Sequence, residues 1–283
     1  MGFAGAGRRI VMKALLIALL TVLAFLFLLP IAWWINFAVK GNASLTIGDT
    51  LKEIWIPNEF LLFHNLQSAF NLYPMGRFFI NSLIVASVVT FFELFIASLA
   101  GFSFAKYDFK GKNIVFSAIL SLLMIPQVVL VIPLFEVVVA LDMVNTYRSL
   151  VLPFLVTPFG IFMMRQFCYS IPNDYIEAAR VEGVGEFTIY LRIIIPLIKS
   201  AFALLGIFTF LRQWDMLLWP LITLSKQAMY TLAVGVSLLQ TNVQVPYNAL
   251  YAVTLLFSIP VIIMYLLFQR LIIESLTMSG IKG

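Results

Sequence analysis

Arg212 and Asp215 stand three residues apart in an otherwise apolar stretch, with Gln213 and Trp214 between them. On a helix that spacing puts both charges on one face, where they can pair. A charge inside a segment fit to cross a bilayer is costly unless paired or wet, so each one is a candidate for function. The amide of Gln213 and the aromatic face of Trp214 add planar hydrogen bonding and stacking, the means by which sugar rings are held. Gln213, Trp214 and Asp215 are therefore the candidate substrate path, and an internal ion pair that only fixes helix packing is the competing reading. Glu93 and Glu136 are single carboxylates in two other apolar stretches, each able to pair with a partner subunit, to line water or to stay protonated. With Asp215 they could serve an intramembrane acid–base enzyme, provided they converge on one wet site.

A second chemistry sits in the polar island Glu177-Ala178-Ala179-Arg180-Val181-Glu182-Gly183, followed by Ile193-Ile194-Ile195-Pro196. Asn173 after Pro172 reads as a helix start, since a short polar side chain caps free backbone N–H groups. A helix from Asp174 to Glu182 presents the small Ala178 and Ala179 to a close-approaching surface and sets Glu177 and Arg180 on one face. Gly183 permits the left-handed backbone that ends a helix, and Gly185 gives a second loose point. A further short helix from Glu186 to Ile195 then leads into Pro196. The result is a helix–turn–helix of charged character between apolar spans, suited to inserting in a partner's cleft. A merely solvated connection is the bland alternative, but helix–helix connections usually run to about 2–8 residues.

The elements that position these groups follow from composition. The 283 residues are 62% hydrophobic and 11% charged, with mean hydropathy +1.03, too apolar for a water-soluble domain. Crossing a bilayer takes roughly 20 apolar residues, and six stretches fit, near 12–39, 78–104, 113–140, 149–169, 197–223 and 249–269. Their apolar runs are continuous rather than alternating, which disfavours a barrel. The expectation is an all-α integral membrane protein of about six transmembrane helices forming one domain over 1–283, with the polar loop 170–196 between spans four and five. The apolar run after Arg8, Arg9 and Lys13 is too long for a signal peptide and reads as an uncleaved first helix. An inward amino terminus places twelve Lys and Arg residues inside against five outside, with Arg212 within a span, so both termini face the cytoplasm. The single cysteine, Cys168, excludes an internal disulfide, and the +5 net charge reads as membrane orientation rather than nucleic-acid binding. His64 stands alone, and no metal site is expected.

The loop resembles the EAA loop of ABC importer permeases, with its EAA-x3-G and I-x-L-P pattern. Over residues 76–283 the chain is similar to the carbohydrate-uptake, maltose-transporter type of that family. The resemblance runs through Asn81-Ser82, Met124-Ile125-Pro126-Gln127, Ile132-Pro133, Asn145-Thr146-Tyr147, Leu152-Pro153 and Phe162-Met163-Met164-Arg165-Gln166. It continues through Trp214-Asp215, Trp219-Pro220-Leu221 and the ending from Gln269-Arg270 to Ile281-Lys282-Gly283. Glu182 stands where aspartate is usual, Ile195 replaces the leucine of I-x-L-P, and Ser275 replaces a tail glycine. Asp215 stands where asparagine is common.

The resemblance implies that Glu177 and Gly183, backed by Ala178, Ala179 and Pro196, seat in a groove of a separate ATPase, and that residues 275–283 reach toward the same partner. It implies a permease subunit of an ATP-driven carbohydrate importer in a bacterial or archaeal cytoplasmic membrane, working by alternating access. The implied partners are a second permease, two ATPase subunits and an external solute-binding protein, with ATP and Mg bound by the ATPase and none by this chain. Consistent with that, no phosphate-cradling G-x4-G-K-[ST] occurs, because Gly111-Lys112 is followed by Asn113. The alternatives are a permease for a non-sugar solute, or a secondary transporter or channel, although neither half-to-half similarity nor a filter-like segment is evident.

Overall fold

The structure, a computed structural model, describes residues 3–41, 56–57, 59–243 and 245–280. Residues 42–55 and 58, the side chains of Arg8 and Arg9, and those of residues 275–283 lie outside the described residues. Among those residues the secondary structure is helical, with no strand. In chain order the helices are α1 (Phe3–Val39), α2 (Leu62–Leu72), α3 (Met75–Lys106), α4 (Lys112–Leu122) and α5 (Val131–Ala140, entered by a 3-10 turn). Then come α6 (Tyr147–Val151), α7 (Pro158–Tyr169), α8 (Asp174–Val181), α9 (Glu186–Ile189), α10 (Lys199–Trp214), α11 (Leu218–Thr223), α12 (Leu232–Thr241) and α13 (Tyr247–Gly280). Between α9 and α10 the backbone runs through a π-helical segment, Tyr190–Ile194, and a last turn, Ile195–Leu197.

Among the described residues, three helices are long and apolar enough to cross a membrane unbroken, Val11–Val39, Met75–Lys106 and Tyr247–Leu271. Three bent helix pairs bring the candidates to six if each pair is one span, broken rather than continuous as the hydropathy suggested. Lys112–Leu122 and Gln127–Ala140 bend by 95°, Tyr147–Phe154 and Pro158–Tyr169 by 42°, and Glu186–Leu197 and Lys199–Trp214 by 81°. Proline accounts for the first two breaks, because it lacks an N–H and drives the preceding residue out of the α region. Pro126 itself is extended, and so is Thr157 ahead of Pro158, at φ −122° and ψ 149°. The span expected over 197–223 also ends early, with α10 stopping at Trp214 and Asp215 as its C-cap residue.

The chain divides into two compact units, Met1–Tyr73 with Leu238–Ser258, and Pro74–Ser237 with Ile259–Gly283. In the first, two asparagines satisfy the carbonyls at the end of α1. Asn65 Nδ2 donates to Ala38 O (2.9 Å) and Lys40 O (2.8 Å), and Asn248 Nδ2 donates to Asn65 Oδ1 (2.8 Å). Unpaired carbonyls at a helix end would otherwise need water or a cap. The residues of α1 from Val11 to Phe27 are exposed along the helix, the surface expected of a segment sheathed in lipid.

The second unit is built around α3, which packs on α7 and α10. A glycine sets the first contact, because a Cβ at Gly101 would stand 2.7 Å from Met164 Cβ and from the Arg165 backbone nitrogen. One core cluster joins Ala97, Met164 and Leu205 of the bundle to Ile176, Ala179, Ile189 and Ile194 beneath the polar loop. Burying each of those isoleucines is worth roughly 1.5–3 kcal/mol relative to exposure. A second cluster at the opposite end joins Val85, Val89, Val138, Leu150 and Trp219. There Asn81 ties three segments, donating to Ala228 O (3.0 Å) and Tyr230 O (2.8 Å) and accepting from Tyr147 (2.7 Å).

Candidate functional site

The polar loop folds as the expected helix–turn–helix, α8 and α9 joined at Gly183. Gly183 has φ 78°, and a Cβ there would meet nothing within 4 Å, so its backbone conformation rather than space calls for glycine. Gly185 is ordinary, at φ −68°. Three sequence expectations need correction. Asn173 makes no capping hydrogen bond with its side chain; its Oδ1 accepts instead from Lys106 Nζ (2.9 Å), at the end of α3. Arg180 turns from Glu177 to Glu186, with Nε to Oε1 at 2.6 Å and Nη2 to Oε2 at 3.3 Å, a bidentate geometry that a three-residue step on one helix did not provide. Ala179 is buried in the core cluster, so its small size serves internal packing, whereas Glu177, Ala178, Gly183 and Pro196 are exposed.

Glu186 is also the acceptor for the Tyr107 hydroxyl, and the Arg180 guanidinium lies 5.6 Å from the Tyr107 ring centroid. The hydrogen bond from Arg180, then that from Tyr107, holds the Glu186 carboxyl below its usual range. The same bond raises Arg180, and burial, then Glu186, raises the Tyr107 hydroxyl. Both helices of the loop are thus tied to the end of α3. Around this closed network Tyr175, Val181 and Phe187 leave large apolar surfaces exposed, in a polar loop where lipid is not the expected cover.

The second site lies within the bundle. Arg212 Nη2 is 2.7 Å from Glu93 Oε2, so the arginine pairs with α3 and not with Asp215 as its spacing suggested. The helix ends at Trp214, which leaves Asp215 exposed beyond the last turn. Thr157 donates to the other oxygen of Glu93 while accepting from Gly160 N at 3.0 Å as the side-chain cap of α7. The positive end of α7 therefore faces a carboxylate. Gly160 makes the approach possible, because a Cβ there would lie 3.0 Å from Glu93 Oε1 and 3.2 Å from Ala97 Cβ. Glu93 is 13 residues from Lys106, about 20 Å along the helix, which is deep in a ~30 Å hydrocarbon core.

The candidate path residues separate. Trp214 is fully buried, stacked on Phe210 and edge-on to Phe79; Gln213 is buried with its Nε2 unpartnered. Only Asp215 of the three is open. Glu136 is exposed on α5. The Glu93–Arg212–Thr157 cluster escaped sequence reasoning because its members come from three helices. The available signal was that one arginine and one carboxylate lie deep within spans that would each be costly alone.

Residues 94–277 match the family described as binding-protein-dependent transport system inner membrane component. The chain belongs to that family. The match runs across both compact units of the permease. Over 264 residues it is 36% identical to the arabinooligosaccharides transport system permease protein AraQ of Bacillus subtilis (strain 168), covering 93% of each chain. Over 258 residues it is 31% identical to the sulfoquinovosyl glycerol transport system permease protein SmoH of Agrobacterium fabrum, covering 90% of this permease and 89% of the other. The same fold occurs in a solved bacterial ABC transporter involved in the import of the acidic polysaccharide alginate. That likeness has a TM-score of 0.80 at 19% identity and covers 92% and 96% of the two chains.

Proposed function

We infer that this chain is a permease subunit of an ATP-driven importer that carries a carbohydrate across the inner membrane. The observation that carries the reading is 36% identity over 93% of the chain to a permease of an oligosaccharide transport system. The chain supplies the passage, and a separate ATPase binds ATP with Mg and supplies the energy. Its partners are a second, homologous permease, two ATPase subunits and an external solute-binding protein, with both termini cytoplasmic.

The loop 170–196 couples the two. Glu177, Ala178 and Gly183 face the ATPase, together with the exposed apolar side chains of Tyr175, Val181 and Phe187, and Pro196 turns the chain back into the bundle. Two arms lead from this loop to the intramembrane ion pair. One is α3, held to the loop through Lys106 and Tyr107 and bearing Glu93; the other is α10, which follows the bend at Ile198 and bears Arg212. Each charge sits 13 residues from the loop end of its helix, about 20 Å away. Closure of the ATPase dimer displaces the loop, both arms move, and the bundle switches between inward- and outward-facing states. The test is co-purification in mild detergent. An ATPase and a second permease should accompany the wild-type chain and be lost with Glu177→Lys at equal protein level; their retention by the variant would overturn the loop assignment.

A further inference from the structure

Arg212 is incompletely satisfied. A guanidinium offers five N–H donors, yet the described residues accept from Arg212 only through Glu93, and its Nε is buried without a partner. Its side chain is 28% exposed while that of Glu93 is 0% exposed, so the arginine is the open half of the pair. It opens on a cavity of about 300 Å³ lined by Glu93, Phe159, Leu205, Phe208, Thr209 and Arg212. Phe159 and Phe208 meet edge-on at 6.4 Å and remain 43% and 52% exposed.

Acyl chains cannot fill this cavity at low cost, because unmet donors deep in hydrocarbon are expensive. What is missing is not a counter-ion, since Glu93 already balances the charge. What is missing is a set of uncharged acceptors with an apolar face beside them. The broken helix α7 and its capped N-terminus mark the same spot, as discontinuous helices do at substrate sites near the midplane.

We propose that this cavity is a subsite for a neutral carbohydrate ring, whose hydroxyls accept from Arg212 while its C–H face lies on Phe159 and Phe208. The proposal rests on the carbohydrate-importer reading. It moves the sugar contact from the buried Gln213 and Trp214 to the cavity beside Arg212.

The test uses the complete importer in proteoliposomes with arabino-oligosaccharides, then lactose, as probes. Phe208→Ala and Phe159→Ala leave the ion pair intact. Each should raise the KM for uptake by about tenfold, the scale of one lost pocket contact, with maximal rate within about twofold. In a Cys168→Ser background, Phe208→Cys should react with a water-soluble thiol reagent and be protected by the transported sugar. Unchanged KM, or labelling indifferent to sugar, would overturn the subsite while leaving the importer intact. Failure to label would mean that the second permease covers this face, and would overturn it too. Absence of wild-type uptake of any carbohydrate would overturn the carbohydrate reading and, with it, the subsite.

Discussion

Glu93 and Arg212 lie 119 positions apart in the chain, and their side chains meet at 2.7 Å between α3 and α10. The contact neutralises two charges that neither helix could hold alone, and Thr157 at the start of α7 completes a three-helix junction.

Removing one partner should therefore harm the protein more than removing both. Glu93→Gln or Arg212→Gln leaves a buried, uncompensated group, a loss of about 3–5 kcal/mol for a buried pair. The double variant Glu93→Gln/Arg212→Gln should recover a large part of that loss. Thermal unfolding of the purified importer reads this directly; a double variant that loses the sum of the two single losses would show that the two charges act independently and would contradict the pairing.

Gly160 and Gly185 should separate by environment. A methyl group at Gly160 meets Glu93 Oε1 at 3.0 Å, and overpacking of this kind costs about 1–3 kcal/mol. Gly185 has nothing within 4 Å of a Cβ and an ordinary φ, so Gly185→Ala should be close to neutral. Comparable Tm shifts for the two variants would contradict the packing around Glu93.

Gly183 tests backbone against space. Its surroundings are open, but φ 78° is unfavourable for any residue with a Cβ, at a cost of order 1–3 kcal/mol. Gly183→Ala should loosen the turn, raising hydrogen exchange in α8 and α9 while α3 stays protected. Gly183→Asn, which tolerates the left-handed region better, should restore part of that protection.

The loop should also respond to acid. Glu186 has a folded-state carboxyl pKa below its usual value of 4.5 because Arg180 and Tyr107 donate to it. A depressed carboxyl stabilises the fold above its unfolded value and loses that contribution as pH falls through the folded one. Proteolytic protection of residues 174–189 should therefore hold down to about pH 4.5 and fall below it. In Glu186→Gln that acid limb should shrink, since Asp174, Glu177 and Glu182 are common to both proteins and Glu186 is not. An identical acid limb in both would contradict this role for Glu186.

The legible part of the chain was what local pattern carries. Helical class, the spans of α1, α3 and α13, and a helix–turn–helix closed at Gly183 all follow from apolar run length and from one glycine. Pro126 and Pro158 stand at two of the breaks, but the angles depend on what each half packs against. The pairings of Arg212 and Arg180 were not legible. A three-residue spacing offered each arginine a neighbour on its own helix, Asp215 and Glu177, and tertiary structure supplied a better-placed acceptor from another element. Ala179 was misjudged for a related reason, since a small residue suits an internal contact as well as an external one.

ATP-dependent uptake by the reconstituted importer tests the coupling role of this loop most directly, comparing wild type with Glu177→Lys at matched protein level. The expected result is carbohydrate uptake that requires ATP and falls by at least about tenfold in the variant, corresponding to ~1.4 kcal/mol or more of lost coupling. Uptake without ATP, or undiminished uptake by Glu177→Lys, would contradict it.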